Sequence, residues 1–338
     1  MSGRALAVAI ADEVAAEEAI GAGWALRDRM RAEGRDALLA VAPLSGDAIA
    51  LGRWQRREDV LAEHARSRAI VRATGGPACV VGEGCVWMGL ALERAGALVP
   101  TPDDRVLNRA VRGVLAGLRG AQIPAHYFGR DVVSVSGVAA TGSSPVGLLG
   151  WTRDARGAVL FECVLGVRRP FALATDEDIT AREEPAFMGK TPVALSAVRD
   201  GIVAGDVARA LASGVCAWAE RERETIAWQG APLGSPERGE LVWSAPRAIP
   251  IGVASAGARL TADGAIADVT LSGDFYQDEA APGALRERLV GRRAERDDVG
   301  RALDAVYGRP GVIEGTRSLQ PLWDAVMESI TLASRDRT

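Results

Sequence analysis

The chain has 338 residues, a formal net charge of −4 and 48% hydrophobic residues, which are ordinary values for a globular protein. Arginines and acids are interspersed, so no general basic surface is expected and nucleic acid is not implied as a partner. No apolar run is long enough to cross a bilayer and no convincing signal-peptide layout begins the chain. These features predict a cytoplasmic protein without a membrane partner.

The N-terminal part of the sequence alternates helix-like and strand-like patterns. Helical periodicity covers 11–33, 103–119 and 205–228, whereas 56–68 is polar and fits either a helix or a loop. Strands are predicted at 37–44 and 48–54 around the turn Ser45-Gly46-Asp47, at 85–92, at 132–137 and at 158–167.

The C-terminal part follows a proline- and glycine-rich linker at 230–239. Alternating apolar and polar residues at 247–276 predict a hairpin around the turn 261–264, and helices are predicted at 282–290, 295–307 and 318–333. The fold class is therefore α+β, with mixed β-sheets and flanking helices. We predict a large domain at 1–240, a small α+β accessory domain at 241–310 and a C-terminal helix at 311–338.

Lysine is nearly absent, because Lys190 stands alone against 39 arginines. Substitution of Arg for Lys in a GC-rich genome explains such a count. The consequence for mechanism is independent of the cause. An ammonium is a compact charge that approaches a reacting centre in a way that a planar guanidinium does not. A reaction that needs a lysine in this chain must use Lys190.

Three segments could form a ligand site. The first is 51–55 (LGRWQ), where Trp54 could line a cofactor cavity at the end of a strand. The second is 72–77 (RATGGP), whose glycines allow close backbone approach to an anion while Arg72 adds a charged fork. The third is 129–144, a hairpin with hydroxyl groups at one end. Each segment also fits an ordinary turn or strand end.

In this order and spacing the segments resemble the lipoate–protein ligase family, within the biotin/lipoyl protein ligase superfamily. The resemblance spans about residues 40–310 and rests on five blocks, which are LGRWQ (51–55), RATGGPA (72–78), GRDVVSVSGVAATGSS (129–144), GKTPVALSAV (189–198) and GAIADVTLSGDFYQD (264–278). It implies a mixed sheet with helices on one side and an apolar tunnel for lipoate or another acyl acid. Family members activate the acid with ATP and Mg²⁺ and pass the acyl group to a lysine of a lipoyl-type carrier domain.

The resemblance also implies site residues. Arg72, Gly75 and Gly76 match the loop that wraps the acyl-adenylate, and Gly142 with Ser143 matches the Gly-Ser pair of the second hairpin. Trp54 belongs to the first block. Asp131 could still bind magnesium through its carboxylate.

Four departures fall on the expected chemistry. Ala139 occupies the position of the family's signature lysine, a loss of charge stabilisation that is commonly about 3–4 kcal/mol. Asp131-Val132 replaces the family's Asn-Asp pair, Pro77 removes an N–H donor from the loop, and Val71 replaces an arginine.

Two substitutes for the missing lysine are open. Lys190 could act as the catalytic cation from another segment, or it could be a solvated surface side chain. Cys79 or Cys85 could act as a nucleophile, although neither has a histidine placed near it by sequence and free cysteine is usually a small buried residue.

Two functions follow. The protein could be a diverged ligase or acyltransferase that handles an acyl acid or acyl-adenylate for transfer to a carrier lysine, using ATP and Mg²⁺ if adenylation is retained. It could instead be a catalytically silent homologue that binds an acyl ligand or a carrier domain, or that serves as a subunit of a larger assembly.

Overall fold

The structure is a computed structural model that describes residues 5–129, 131–137, 142–173, 183–234, 239–293 and 295–336. The strands of the N-terminal part are β1 (Leu6–Ile10), β2 (Val14–Ala15), β3 (Ala37–Ser45), β4 (Asp47–Leu51), β5 (Ala69–Val71), β6 (Cys79–Gly82), β7 (Cys85–Leu92), β8 (Ala125–Tyr127), β9 (Val132–Ser136), β10 (Ser143–Arg153), β11 (Val159–Gly166) and β12 (Arg223–Ile226). Its helices are α1 (Ala16–Ala32), α2 (Arg57–Val60), α3 (Glu63–Arg66), α4 (Val106–Gly120) and α5 (Ala204–Ala219).

A mixed sheet forms the centre of the N-terminal part. Its strand order is β12-β1-β3-β7-β11-β10-β9-β8. β1 pairs in parallel with β12 and β3, and the pairs from β3 to β8 are antiparallel. A smaller sheet, β5-β4-β6, carries the chain into the glycine-bearing loop. The mixed-sheet α+β prediction is confirmed.

Strand alternation gives the large sheet two apolar faces. On β1, Leu6 and Val8 join the core that contains α4 and α5, whereas Ala7 and Ala9 join the core under α1. Helices therefore cover both faces, which corrects the expectation of helices on one side only.

Two helices are shorter than predicted. The pattern at 11–33 predicts one helix, but α1 begins only at Ala16, because Val14–Ala15 pairs with β3 as the short strand β2. The pattern at 205–228 predicts a single helix, but α5 ends at Ala219 because Glu220 adopts left-handed backbone angles, with φ of 52°. This conformation interrupts the helix. The chain then enters β12, which extends the large sheet beside β1.

The C-terminal part builds a small four-stranded sheet with helices on it and a separate two-stranded sheet formed by its last two strands. Its strands are β13 (Val242–Trp243), β14 (Arg247–Ile249), β15 (Gly252–Leu260), β16 (Ile266–Gly273), β17 (Tyr276–Gln277) and β18 (Ile313–Glu314). Its helices are α6 (Ala281–Leu289), α7 (Arg296–Tyr307) and α8 (Gln320–Arg335).

The hairpin predicted in this part is β15–β16, which the structure forms as an antiparallel pair. The helix α8, assigned a unit of its own from the sequence, packs on β15. The predicted domain boundaries stay predictions. No helix in the described parts of the chain is long and apolar enough to span a membrane.

Candidate functional site

The glycine-bearing loop after β5 is held from within by Arg72. Its side chain is only 1% exposed, and Nη2 donates to the carbonyls of Gly75 at 2.8 Å and Pro77 at 2.9 Å. In this conformation the Arg72 guanidinium binds carbonyl groups of its own loop and so stabilises the loop conformation. Its predicted contact with a ligand anion stays a prediction.

The other end of the loop is anchored to the large sheet by Glu162. The backbone N–H of Thr74 donates to Oε2 of Glu162 at 3.1 Å, and the Thr74 hydroxyl donates to the same atom at 2.6 Å. The indole N–H of Trp87 donates to Oε1 at 3.0 Å. Three donors thus satisfy a buried carboxylate, as burial of a charge requires. No sequence motif indicated this pairing.

The two adjacent glycines of the loop accommodate the protein's own C-terminal part. A Cβ on Gly75 would lie 2.4 Å from the Phe275 carbonyl oxygen, and a Cβ on Gly76 would lie 2.4 Å from the Tyr276 hydroxyl oxygen. Gly76 also has φ of +96°, a left-handed conformation that favours glycine. The place predicted for an acyl-adenylate is therefore filled by the segment that enters β17.

The hydroxyl of Tyr276 that lies over Gly76 also contacts Asp131. Its hydroxyl lies 3.1 Å from Oδ2 of Asp131 and 3.0 Å from the carbonyl of Leu149, and its single hydrogen serves both acceptors. Burial first, and then the Asp131 charge, raise the pKa of Tyr276 well above its usual value. Asp131 is itself buried at the start of β9.

Trp54 packs between the loop and the C-terminal part. Its carbonyl accepts from the backbone N–H of Gly273 at 3.0 Å, and its ring borders Gly75. The next residue, Gln55, donates to the Asp274 carboxylate through its amide and accepts from the backbone N–H of Gly52 at 2.6 Å. The LGRWQ block thus joins the two parts of the chain in this structure.

The β9–β10 hairpin places the Gly-Ser pair at the opposite end of the same strands. Gly142 has φ of +75° with open space around its Cα, and Ser143 begins β10. The Ser143 hydroxyl oxygen lies 2.9 Å from Nε2 of His126 on β8. Ala139 falls within 138–141, outside the described residues.

Lys190 is brought to this hairpin from another segment. Three residues beyond it, the backbone N–H of Val193 donates to the carbonyl of Pro145 on β10 at 2.9 Å. The ammonium of Lys190 lies 4.8 Å from the ring centroid of Phe128, and that ring lies 4.5 Å from the His126 ring. The lone lysine is therefore a neighbour of the signature hairpin.

His126 is the functional candidate that the sequence analysis missed. Burial lowers its pKa first, and the Lys190 charge lowers it further, whereas a hydrogen bond to the Pro124 backbone raises it. Proline offers only a carbonyl, so a ring N–H of His126 is the donor in that bond. The net lowering favours a neutral imidazole beside Ser143. The one sequence feature that could have pointed to His126 is that the chain has only two histidines.

Two cavities adjoin Asp131. One is small, with a volume of about 20 Å³, and its lining includes Leu148, Phe187 and Met188. The other has a volume of about 570 Å³ and lies between the start of α4 and the C-terminal segments. Its charged lining residues are Asp104, Arg105, Asp131, Glu184, Glu314 and Arg317.

Among the described residues, those beside Asp131 offer no site suited to Mg²⁺ or to the triphosphate of ATP in this conformation. The described residues hold no group of three or more Asp, Glu, His and Cys side chains suited to a metal ion, and Asp131 is bonded to Tyr276. The larger cavity carries four acids against two arginines, an unfavourable lining for a triphosphate. The smaller cavity is too small for an acyl chain.

The cysteines are buried in this structure. Desolvation raises the pKa of Cys79 to about 11 and also raises the pKa of Cys85. Nucleophilic cysteines need a lowered pKa. The cysteine alternative therefore has no support from the geometry.

No protein-family profile and no curated protein matches the sequence. Among solved structures, LipL1 of P. falciparum in complex with lipoate is similar over 99% of both chains, with a TM-score of 0.56 and 12% identity. A lipoate–protein ligase A bound with ATP matches 67% of this chain and 90% of its own, with a TM-score of 0.43 and 15% identity. A putative lipoate–protein ligase of T. acidophilum with bound lipoic acid matches 68% and 90%, with a TM-score of 0.47 and 14% identity.

The likeness to the P. falciparum protein covers the large sheet and the C-terminal part together. Identity this low identifies the architecture and no particular activity. The resemblance seen in the sequence is confirmed at that level: this chain has the fold of the lipoate/biotin protein ligase superfamily.

Proposed function

We propose that the protein handles an activated acyl group, of lipoate or another acyl acid, and passes it to a lysine of a lipoyl-type carrier domain or other acceptor protein. The observation that carries the proposal is the position of Lys190. Its ammonium lies 4.8 Å from the Phe128 ring, beside the hairpin whose own lysine position holds Ala139. A cation at this place can stabilise negative charge that develops on an acyl carbonyl.

Activation of a free acid by ATP and Mg²⁺ is not part of this proposal. The glycines that would wrap an adenylate are in contact with Phe275 and Tyr276, and Asp131 is bonded to the Tyr276 hydroxyl. The proposed substrate is therefore an acid that arrives already activated.

The test compares two donors with a lipoyl-type carrier domain as acceptor. One reaction receives synthetic lipoyl-adenylate, and the other receives lipoate with ATP and Mg²⁺. We expect the carrier to gain the lipoyl mass from the adenylate faster than without the protein, and no gain from the free acid. Lys190→Met is expected to lower the rate about 100-fold, since a lost charge donor commonly costs about 3 kcal/mol.

The matched control is Arg209→Met, which removes one exposed cation that pairs with Asp206 on α5. Its rate should equal that of the parent protein. Failure of the adenylate to exceed the background rate would reject acyl transfer, and an equal rate in Lys190→Met would reject the role of the lysine.

A second function, a catalytically silent homologue that binds an acyl ligand or a carrier domain or acts as a subunit of a larger assembly, is favoured by one observation. The Tyr276 side chain fills the space over Gly76, where the resemblance places the acyl-adenylate. Calorimetry against a non-reactive acyl-adenylate analogue and against carrier domains tests this function. Turnover by the purified chain alone would refute it.

A further inference from the structure

A single face of the large sheet gathers polar side chains beside the signature hairpin. In the strand register, His126 of β8 lies opposite Ser134 of β9, and Ser136 of β9 lies opposite Ser143 of β10. Because residues two apart on a strand share a face, these four side chains lie on the same side of the sheet. The opposite side of β9 carries Val133 and Val135 into the core.

Two of these side chains have the geometry of a nucleophile and its base. The distance of 2.9 Å between Oγ of Ser143 and Nε2 of His126 is within the range for general-base activation of a hydroxyl. The other ring nitrogen, Nδ1, lies 3.3 Å from the Ser136 hydroxyl oxygen. With the ring hydrogen on Nδ1, Nε2 is free to accept the proton of Ser143.

The surroundings suit an acyl group. Phe128 is 64% exposed although its ring lies 4.5 Å from the His126 ring, and Met188 near Lys190 is 44% exposed. These exposed apolar side chains next to the polar pair offer a surface for an alkyl chain. Lys190 adds a positive charge on the same side.

We propose that Ser143 is an acyl-accepting nucleophile, with His126 as its general base, for an acyl group carried on a good leaving group such as a thioester or an adenylate. Oγ of Ser143 forms a bond to the carbonyl carbon, and the bond from that carbon to the leaving group breaks. The hydroxyl proton moves to Nε2 of His126 and then to the departing thiolate or phosphate. The product is a serine ester, whose acyl group an amine can later take.

This inference rests on the proposal that the protein handles acyl groups, but it can be tested without a carrier domain. The full-length protein is incubated with the octanoyl thioester of N-acetylcysteamine or, in a second arm, with octanoyl-adenylate. It is then digested with trypsin for mass spectrometry. The sequence from 131 to 153 holds no lysine or arginine before Arg153, so Ser143 lies in one peptide with Ser134, Ser136 and Ser144. Fragmentation assigns the acyl group to one of the four.

We expect octanoyl on Ser143, no octanoyl in Ser143→Ala, and a rate at least about 100-fold lower in His126→Gln, because loss of a general base commonly costs that much. The control is Ser144→Ala. The Ser144 hydroxyl is buried with no hydrogen-bond partner among the described residues, so its removal should leave both fold and acylation unchanged.

The pH profile separates a base from a structural partner. Among the described residues, Lys190 is the charged group that acts on the His126 ring. Because the pKa of His126 is lowered from 6.5, the pH at which acylation falls to half of its maximal rate should lie below 6.5.

Several results would overturn the inference: octanoyl on Lys190 or another serine in place of Ser143, no acylation in either arm, or equal rates in the parent and His126→Gln. Acylation of Ser143 without passage to a carrier would leave this inference standing and reject transfer to a carrier. If a variant fails to fold, the position of the octanoyl group in the parent protein still shows whether Ser143 is the acyl acceptor.

Discussion

Tyr276 links the C-terminal part to the site, and Tyr276→Phe tests that link. The change removes one hydroxyl from a fully buried position and leaves the ring in contact with Gly76. Asp131 then loses a donor at 3.1 Å and the Leu149 carbonyl loses one at 3.0 Å. A hydrogen bond to a charged group is worth about 1.5–3 kcal/mol, so we expect the free energy of unfolding to fall by about 2 kcal/mol.

Thermal unfolding provides the assay, and at about 2 °C per kcal/mol the midpoint should fall by about 4 °C. Tyr307→Phe is the matched control, because the Tyr307 hydroxyl is also buried but has no hydrogen-bond partner among the described residues. Its removal should be neutral or stabilising. Equal midpoints in the two variants would refute the reasoning that Tyr276 holds Asp131.

Three further outcomes are expected. Gly76→Ala should destabilise the protein by about 2–3 kcal/mol in urea unfolding, because its Cβ would overlap the Tyr276 hydroxyl and its φ is +96°; an unchanged midpoint would exclude the close approach. Thr74→Val should cost about 2 kcal/mol by the same measurement, since Glu162 loses a donor at 2.6 Å in a buried site. Cys79, whose pKa is raised to about 11, should resist an aromatic disulfide reagent at pH 8 until the protein is unfolded, and fast labelling of the native chain would contradict its burial.

Local patterns predicted most of the secondary structure. The apolar run at 85–92 is β7 at the same bounds, and the turn at 261–264 joins β15 to β16 as expected. The prediction failed at 205–228 because apolar spacing continued past Ala219, whereas the helix ended on the conformation of one residue, Glu220. Periodicity reports which face is buried and carries little information on where a helix stops.

The order of the motifs predicted which residues form the candidate site. The contacts that these residues make in the structure could not be predicted from that order. The sequence marked Gly75 and Gly76 as a place where a ligand approaches the backbone closely, and that contact stays a prediction, although Phe275 and Tyr276 do approach the two glycines. It did not indicate that Tyr276, two hundred positions later, is what approaches. Likewise Arg72 was predicted to bind a ligand anion because of its charge. In the structure its guanidinium is buried and donates to carbonyls of its own loop. Such pairings depend on how distant segments pack, which no local spacing encodes.

Strand β9 connects the two groups of contacts on which the proposed function depends. At its start, Asp131 is bonded to the Tyr276 hydroxyl, and Tyr276 occupies the space over Gly76. On the same sheet, the Ser143 hydroxyl contacts the His126 ring, and the Lys190 ammonium lies over the exposed ring of Phe128, which borders His126. A genomic preference for arginine over lysine explains why the chain has one lysine. It does not explain why that lysine lies beside the β9–β10 hairpin. These contacts are the basis of the proposal that the protein receives an acyl group that arrives already activated.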